Sequence, residues 1–132
     1  MACHLIEEAK KGSLDAQRIR ESIDDIETLA DSDKFDVRIS KCKICGQIYI
    51  NCFREFNSLQ FQDYYWTFWL PVTEKDVDIL KKAKMTYDLM GGIIRDMPHI
   101  CQDDKKNIFW SPNGNPKAPT LFLPPYMFDY PE

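Results

Sequence analysis

The chain has 132 residues, a formal net charge of −4 at pH 7, and a composition that is 44% hydrophobic and 29% charged. That length buries about two-thirds of the surface an unfolded chain exposes, so residues 1–132 are expected to form one domain. The mild acidity argues against general affinity for nucleic acid, which needs clustered Lys and Arg to neutralise phosphate. No apolar run approaches the ~18 residues of a membrane span, and Met1-Ala2-Cys3-His4 lacks the charged start of a secretion signal. Location in the cytoplasm is the expectation. The five cysteines are an odd count, which argues for reduced thiols over a disulfide framework.

Leu5 to Lys11 reads as a short amphipathic helix stopped by Gly12, with Ser13 as cap of a second helix and Asp15 in its first turn. Ile19, Ile23, Ile26 and Ala30, widened by Leu14 and Leu29, recur as one apolar stripe, which predicts a long helix ending at the polar turn Asp31-Ser32-Asp33-Lys34. Its opposite face carries Arg18, Arg20, Glu21, Asp24, Asp25 and Glu27. Such a face is usually solvated, although it also offers a partner surface.

Phe35, Val37 and Ile39 alternate before Lys41-Cys42-Lys43-Ile44-Cys45-Gly46-Gln47, and Ile48, Ile50 and Cys52 alternate after it. The reading is two strands with a turn at their tip. Cys42 and Cys45 stand at the i, i+3 spacing that lets a turn aim two thiolates at one tetrahedral ion, for which zinc is the usual occupant. Gly46 follows where the chain must turn back, and glycine takes positive φ without a Cβ clash. From Arg38 to Tyr49 the segment resembles a zinc knuckle, the half-site of zinc ribbons and rubredoxin-like proteins. Such a ribbon supplies a second Cys-x-x-Cys, and this chain has none. The remaining ligand candidates are Cys52, Cys101, Cys3, His99 and His4. His99-Ile100-Cys101 has an x1 spacing that puts two soft ligands on one side of a strand or turn, so the expected metal set is Cys42, Cys45, His99 and Cys101. A closed four-ligand site of this kind supplies stability and leaves no open position for catalysis.

Asn57 to Gln60 is expected to join the second strand antiparallel to Asp63-Tyr64-Tyr65-Trp66-Thr67-Phe68-Trp69-Leu70. This third strand carries large residues on both faces, as a central strand covered on two sides does, and Pro71 is expected to end it. Thr73-Glu74-Lys75-Asp76 is a helix start with a carboxylate three residues after the Thr cap. Val77, Leu80, Lys84, Met85, Tyr87 and Leu89 continue that helix to Gly91-Gly92, with Lys81, Lys82 and Lys84 in its latter half. Ile108-Phe109-Trp110 reads as a short strand, Asn113-Gly114 as a turn and Thr120 to Leu123 as a returning strand. The apolar segment Pro124 to Glu132 is expected to pack on the domain or on a partner. The fold class is therefore α+β, with an antiparallel sheet of about three to five strands and two main helices.

No enzymatic constellation emerges. His99 and Cys101 are too close in sequence to form a base and nucleophile pair readily, and Asp24-Asp25 and Asp103-Asp104 are coupled to nothing else. The order of N-terminal helix, Cys-x-x-Cys-Gly hairpin, aromatic strand, proline and helix looks like small bacterial accessory proteins, including toxin-neutralising immunity proteins. The expected function is a non-enzymatic protein-interaction module with structural zinc. Its partner is another protein, which includes a second copy of the chain. The alternative is a thiol-dependent enzyme or redox protein using Cys42, Cys45 or Cys101. A third reading is single-stranded nucleic-acid binding on the aromatic sheet, disfavoured by charge.

Overall fold

The alternation on either side of the cysteine turn becomes the centre of a sheet in the computed structural model, which describes residues 3–32, 35–57, 63–83, 93, 96–103 and 105–112. In chain order the elements are α1 (His4–Lys11), α2 (Ala16–Ser22), β1 (Ile23–Ser32), β2 (Phe35–Cys42), β3 (Ile48–Asn57), β4 (Asp63–Val72), α3 (Glu74–Lys82), β5 (His99–Gln102) and β6 (Ile108–Ser111). The six strands form one antiparallel sheet in the order β1-β2-β3-β4-β5-β6. The α+β class agrees with expectation, while the sheet has six strands and the described residues hold three helices. The strands that the sequence does not announce are β1, read there as helix, and β5, which pairs with β4 on one side and β6 on the other.

Because side chains alternate across a strand, the sheet has two buried faces. Val37, Ile39, Ile50, Cys52, Trp66, Phe68, Leu70 and Cys101 pack beneath Val77 of α3, with Leu80 and Phe109 against them. On the opposite face Cys42, Tyr49, Trp69 and Ile100 lie under Leu5, Ile6 and Ala9 of α1, with Leu14 and Ile19 beside them. The large residues of β4 thus divide as its alternation implies, with Trp66, Phe68 and Leu70 on one face and Trp69 on the other.

The N-terminal helices follow their local signals, with two corrections. Gly12 caps α1 in the left-handed conformation, at φ 74° and ψ 19°. The cap of α2 is Asp15, whose Oδ1 accepts from the Arg18 amide at 2.8 Å, whereas the Ser13 hydroxyl donates to the Glu8 carbonyl. The predicted long helix ends at Ser22, and Ile23 to Ser32 is a strand. Its register shows why the periodicity misleads. Asp25 pairs with Ser40 and Glu27 with Ile39, which makes Ile26 an extra residue; Thr28 pairs with Arg38 and Ala30 with Val37, which does the same for Leu29. Two bulges therefore accommodate a three-residue apolar spacing that a helix also satisfies. Ile26 is 58% exposed as a result. The cross-strand partners along β2 outweigh the weak helical preference of Ile23, Ile26 and Thr28.

Pro71 does not end β4, which runs on to Val72 with Pro71 opposite Tyr49. The β4–β5 ladder covers only Thr67 to Trp69, so at Pro71 the strand is locally an edge, where a missing donor is tolerated. Thr73 forms the expected capping box, its hydroxyl accepting from the Asp76 amide at 3.2 Å while Asp76 accepts from the Thr73 amide at 3.0 Å. Asp103 organises the β5–β6 turn by accepting from the amides of Lys105 and Asn107 at 3.0 and 2.9 Å. α3 ends at Lys82, with Ala83 extended at φ −87° and ψ 148°, so the single helix expected to run to Gly91-Gly92 is interrupted there. Residues 84–92, the turn at Asn113-Gly114, the strand at Thr120 to Leu123 and the C-terminal apolar segment lie outside the described residues.

The β2–β3 connection is closed by two backbone bonds, from the Gly46 amide to the Cys42 carbonyl at 3.0 Å and from the Cys42 amide to the Gln47 carbonyl at 2.9 Å. Gly46 has φ 81°, a conformation that costs a residue with a Cβ about 1–2 kcal/mol. A Cβ there would meet only the Lys41 Cε, at 3.7 Å, so the cost of Gly46→Ala is conformational and not steric. Urea denaturation of that variant is expected to show a loss of about 1 kcal/mol.

Candidate metal centre

Four soft or borderline ligands meet where α1 begins and β2 ends. Cys3 is the N-cap of α1 and His4 its first residue, Cys42 is the last residue of β2, and Cys45 lies in the turn that follows. The packing of α1 brings them together, because Leu5, Ile6 and Ala9 seat the helix on the Tyr49–Trp69–Ile100 face with its first turn above Cys42. The lysine after Cys42 helps hold the turn, its amide donating to the Ser22 carbonyl at the end of α2 at 2.8 Å.

One ligand atom from each of Cys3, His4, Cys42 and Cys45 can be chosen so that all lie within 4.8 Å of one another. His4 Nδ1 is 4.0 Å from Cys3 Sγ and 3.9 Å from Cys42 Sγ. Tetrahedral coordination with ordinary bond lengths puts sulfur and nitrogen about 3.6 Å apart, and two sulfurs about 3.8 Å apart. The cluster thus matches a mononuclear site to within a small contraction, and these residues can hold a metal ion. Three thiols and one imidazole are a complete set of four.

The surroundings of the thiols differ. Cys3 and Cys42 are 2% and 1% exposed, whereas Cys45 faces solvent. Burial pushes the Cys3 thiol up to about 11, against the opposing influence of the Tyr49 hydroxyl and the Leu5 amide. At Cys45 burial also acts upward, but the Gln47 amide and the neighbouring Cys3 and Cys42 outweigh it and hold the thiol below its usual value. Tyr49 is raised by burial and by the adjacent Cys3, and its phenol stays neutral. His4 Nε2 is buried beside the cluster without a hydrogen-bond partner. A cation at the centre would complement this environment, because a bound metal ion deprotonates coordinating thiols outright.

Of the four residues expected as ligands, the structure brings Cys42 and Cys45 together and places His99 and Cys101 elsewhere. Parity explains the division. Cys101 lies on the α3 face opposite Phe68, while Cys42 lies on the α1 face. His99 shares the parity of Cys101, and its ring meets the Phe68 ring edge-on at 5.3 Å. Cys3 and His4, candidates by residue type, are not singled out by any spacing to the turn. Their signal was adjacency, two soft ligands at the mouth of an amphipathic helix that must cover one face of the sheet. None of the five cysteines is disulfide-bonded.

His99 has a structural role. Its Nδ1 lies 2.8 Å from the Met97 carbonyl, which can only accept, so Nδ1 carries the proton and the buried Nε2 is the bare nitrogen. Burial lowers its pKa from the ordinary 6.5, partly offset by the Met97 bond. The unfolded chain therefore binds a proton here that the folded chain refuses. This contribution to stability is complete above pH 6.5 and is lost as pH falls from there through the lower folded value. Melting temperature measured from pH 7.5 to 5 is expected to decline less steeply in His99→Gln than in the parent chain; parallel declines would place the acid sensitivity elsewhere.

Fold and site together define an α+β chain in which a six-stranded antiparallel meander carries a Cys3-His4-Cys42-Cys45 cluster at the junction of an N-terminal helix and a hairpin. Comparisons with family models, with curated proteins and with solved structures give no match. Among the described residues, no helix is long and apolar enough to cross a membrane.

Proposed function

We propose that this protein is a non-enzymatic protein-interaction module in which one structural zinc ion, held by Cys3, His4, Cys42 and Cys45, fastens α1 to the sheet. The carrying observation is the composition of the cluster, since three cysteines and one histidine fill the four positions zinc favours and leave none for a substrate. The ion would neutralise a thiol-rich site that burial otherwise penalises, and would join the first turn of α1 to the β2–β3 turn. Contact with another protein is assigned to the outer surface. There β1 presents Asp24, Asp25 and Glu27 to solvent, and Tyr65, 47% exposed, stacks on Phe53 with ring centroids 6.1 Å apart.

The test is metal content by mass spectrometry on protein purified without a metal-affinity tag. About one zinc per chain supports the reading. Metal-free protein that keeps its melting temperature when zinc is added would overturn it. The exposed Cys45 thiol favours a second reading, a thiol-dependent protein, which requires Cys42→Ser or Cys45→Ser to stay fully folded while losing a thiol activity.

A further inference from the structure

Resting on the zinc reading and deepening it, we propose that Cys45 is a peroxide-sensitive modification site, whose oxidation closes a disulfide with Cys42 and expels the ion. The four ligand atoms lie within 4.8 Å of one another, yet they are unequally shielded. Cys3 and Cys42 are 2% and 1% exposed while Cys45 is open to solvent, so a small oxidant reaches one sulfur before the others. The same asymmetry chooses the resolving thiol. Cys42 and Cys45 belong to one turn, already closed by the Gly46 amide on the Cys42 carbonyl at 3.0 Å. Joining them closes a very short loop, whereas joining Cys45 to Cys3 links two separate elements. Rotation of the two side chains brings sulfurs already in the same cluster to the bond distance of about 2.05 Å.

The oxidant is hydrogen peroxide or another small hydroperoxide. The Cys45 thiolate attacks one peroxide oxygen; an S–O bond forms, the O–O bond breaks, the sulfur is oxidised to a sulfenic acid and hydroxide leaves. The Cys42 thiolate then attacks the Cys45 sulfur, forming the S–S bond and releasing a second hydroxide. Two thiolates, one hydrogen peroxide and two protons from solvent give one disulfide and two waters. Zinc changes no oxidation state. Having lost two ligands, it departs from Cys3 and His4, and α1 is left on the sheet through Leu5, Ile6 and Ala9 and the Lys10 ammonium over the Trp110 ring.

The experiment uses the zinc-loaded full chain with a few equivalents of hydrogen peroxide and a colorimetric zinc chelator, followed by intact mass and peptide mapping. Release of zinc together with a loss of about 2 Da mapped to Cys42–Cys45, and recovery of zinc binding after reduction, is the expected result. Zinc retained under peroxide, or zinc released without a Cys42–Cys45 disulfide, overturns the assignment while leaving the zinc reading intact. Protein that carries no zinc at the outset overturns both.

Discussion

Replacing Cys42 with serine is expected to abolish zinc retention and lower stability by about 3–5 kcal/mol or more, a fall of some 10–20 °C in melting temperature for a chain this size. Cys42 is the ligand that belongs to the sheet itself, 1% exposed at the end of β2 and 3.9 Å from His4 Nδ1. Serine supplies no thiolate, and with it the tie between α1 and the turn is lost. Structural zinc contributes on the order of 10 kcal/mol where the apo chain is unfolded, comparable with the whole stability of a small domain. Here the α3-side core contains no ligand, so it is expected to survive and the loss to be centred on α1 and α2. Hydrogen exchange should therefore rise first in residues 3–22 and only later in β3 and β4. Cys52→Ala and Cys101→Ala provide the contrast. Both residues are buried on the α3 face, and both variants are expected to keep their zinc while losing only packing. If Cys52→Ala loses zinc and Cys42→Ser does not, the two faces have been misassigned.

Phe68→Ala is expected to cost about 3–5 kcal/mol, read as a lower urea midpoint with an unchanged slope. Phe68 is 1% exposed on β4, flanked by Cys52 of β3 and Cys101 of β5. Its ring stacks on Trp66 at 6.0 Å and meets the edge of His99 at 5.3 Å, so truncation opens a cavity bordered by aromatic rings that cannot collapse into it. The effect should also reach His99. With Phe68 removed, its bare Nε2 gains room for water, and the acid sensitivity described above should weaken. Tyr65→Ala, on the same strand but 47% exposed, is the control, expected within about 1 kcal/mol of the parent.

Much of this architecture was legible in the sequence where the signal is local. Gly12 as the end of α1, the Thr73 capping box, the alternation through β2 and β3, the two-faced β4 and the short β6 each depend on neighbours within a few residues. These are decided by φ preference, side-chain reach and period, which the sequence states directly. The Cys42–Cys45 spacing belongs to the same class, for it places both thiols near one turn without any tertiary contact.

Whether residues 23–32 became helix or strand was decided only by tertiary structure, because Ile23, Ile26 and Leu29 suit either a helical stripe or a strand with a bulge at each repeat. The open edge of β2, the next strand in the chain, settled it through a ladder that runs from Ser32–Phe35 to Ile23–Cys42. The remaining members of the cluster were decided in the same way. Cys3, His4, His99 and Cys101 were all near another soft ligand in sequence, but Cys3 and His4 sit at the start of α1, on the sheet face toward which Cys42 points, whereas Cys101 lies on the other. Local spacing brings ligands together along the chain. The parity of a strand and the helix covering it determine which of them share a space, and that choice is made by pairing between residues nearly forty positions apart.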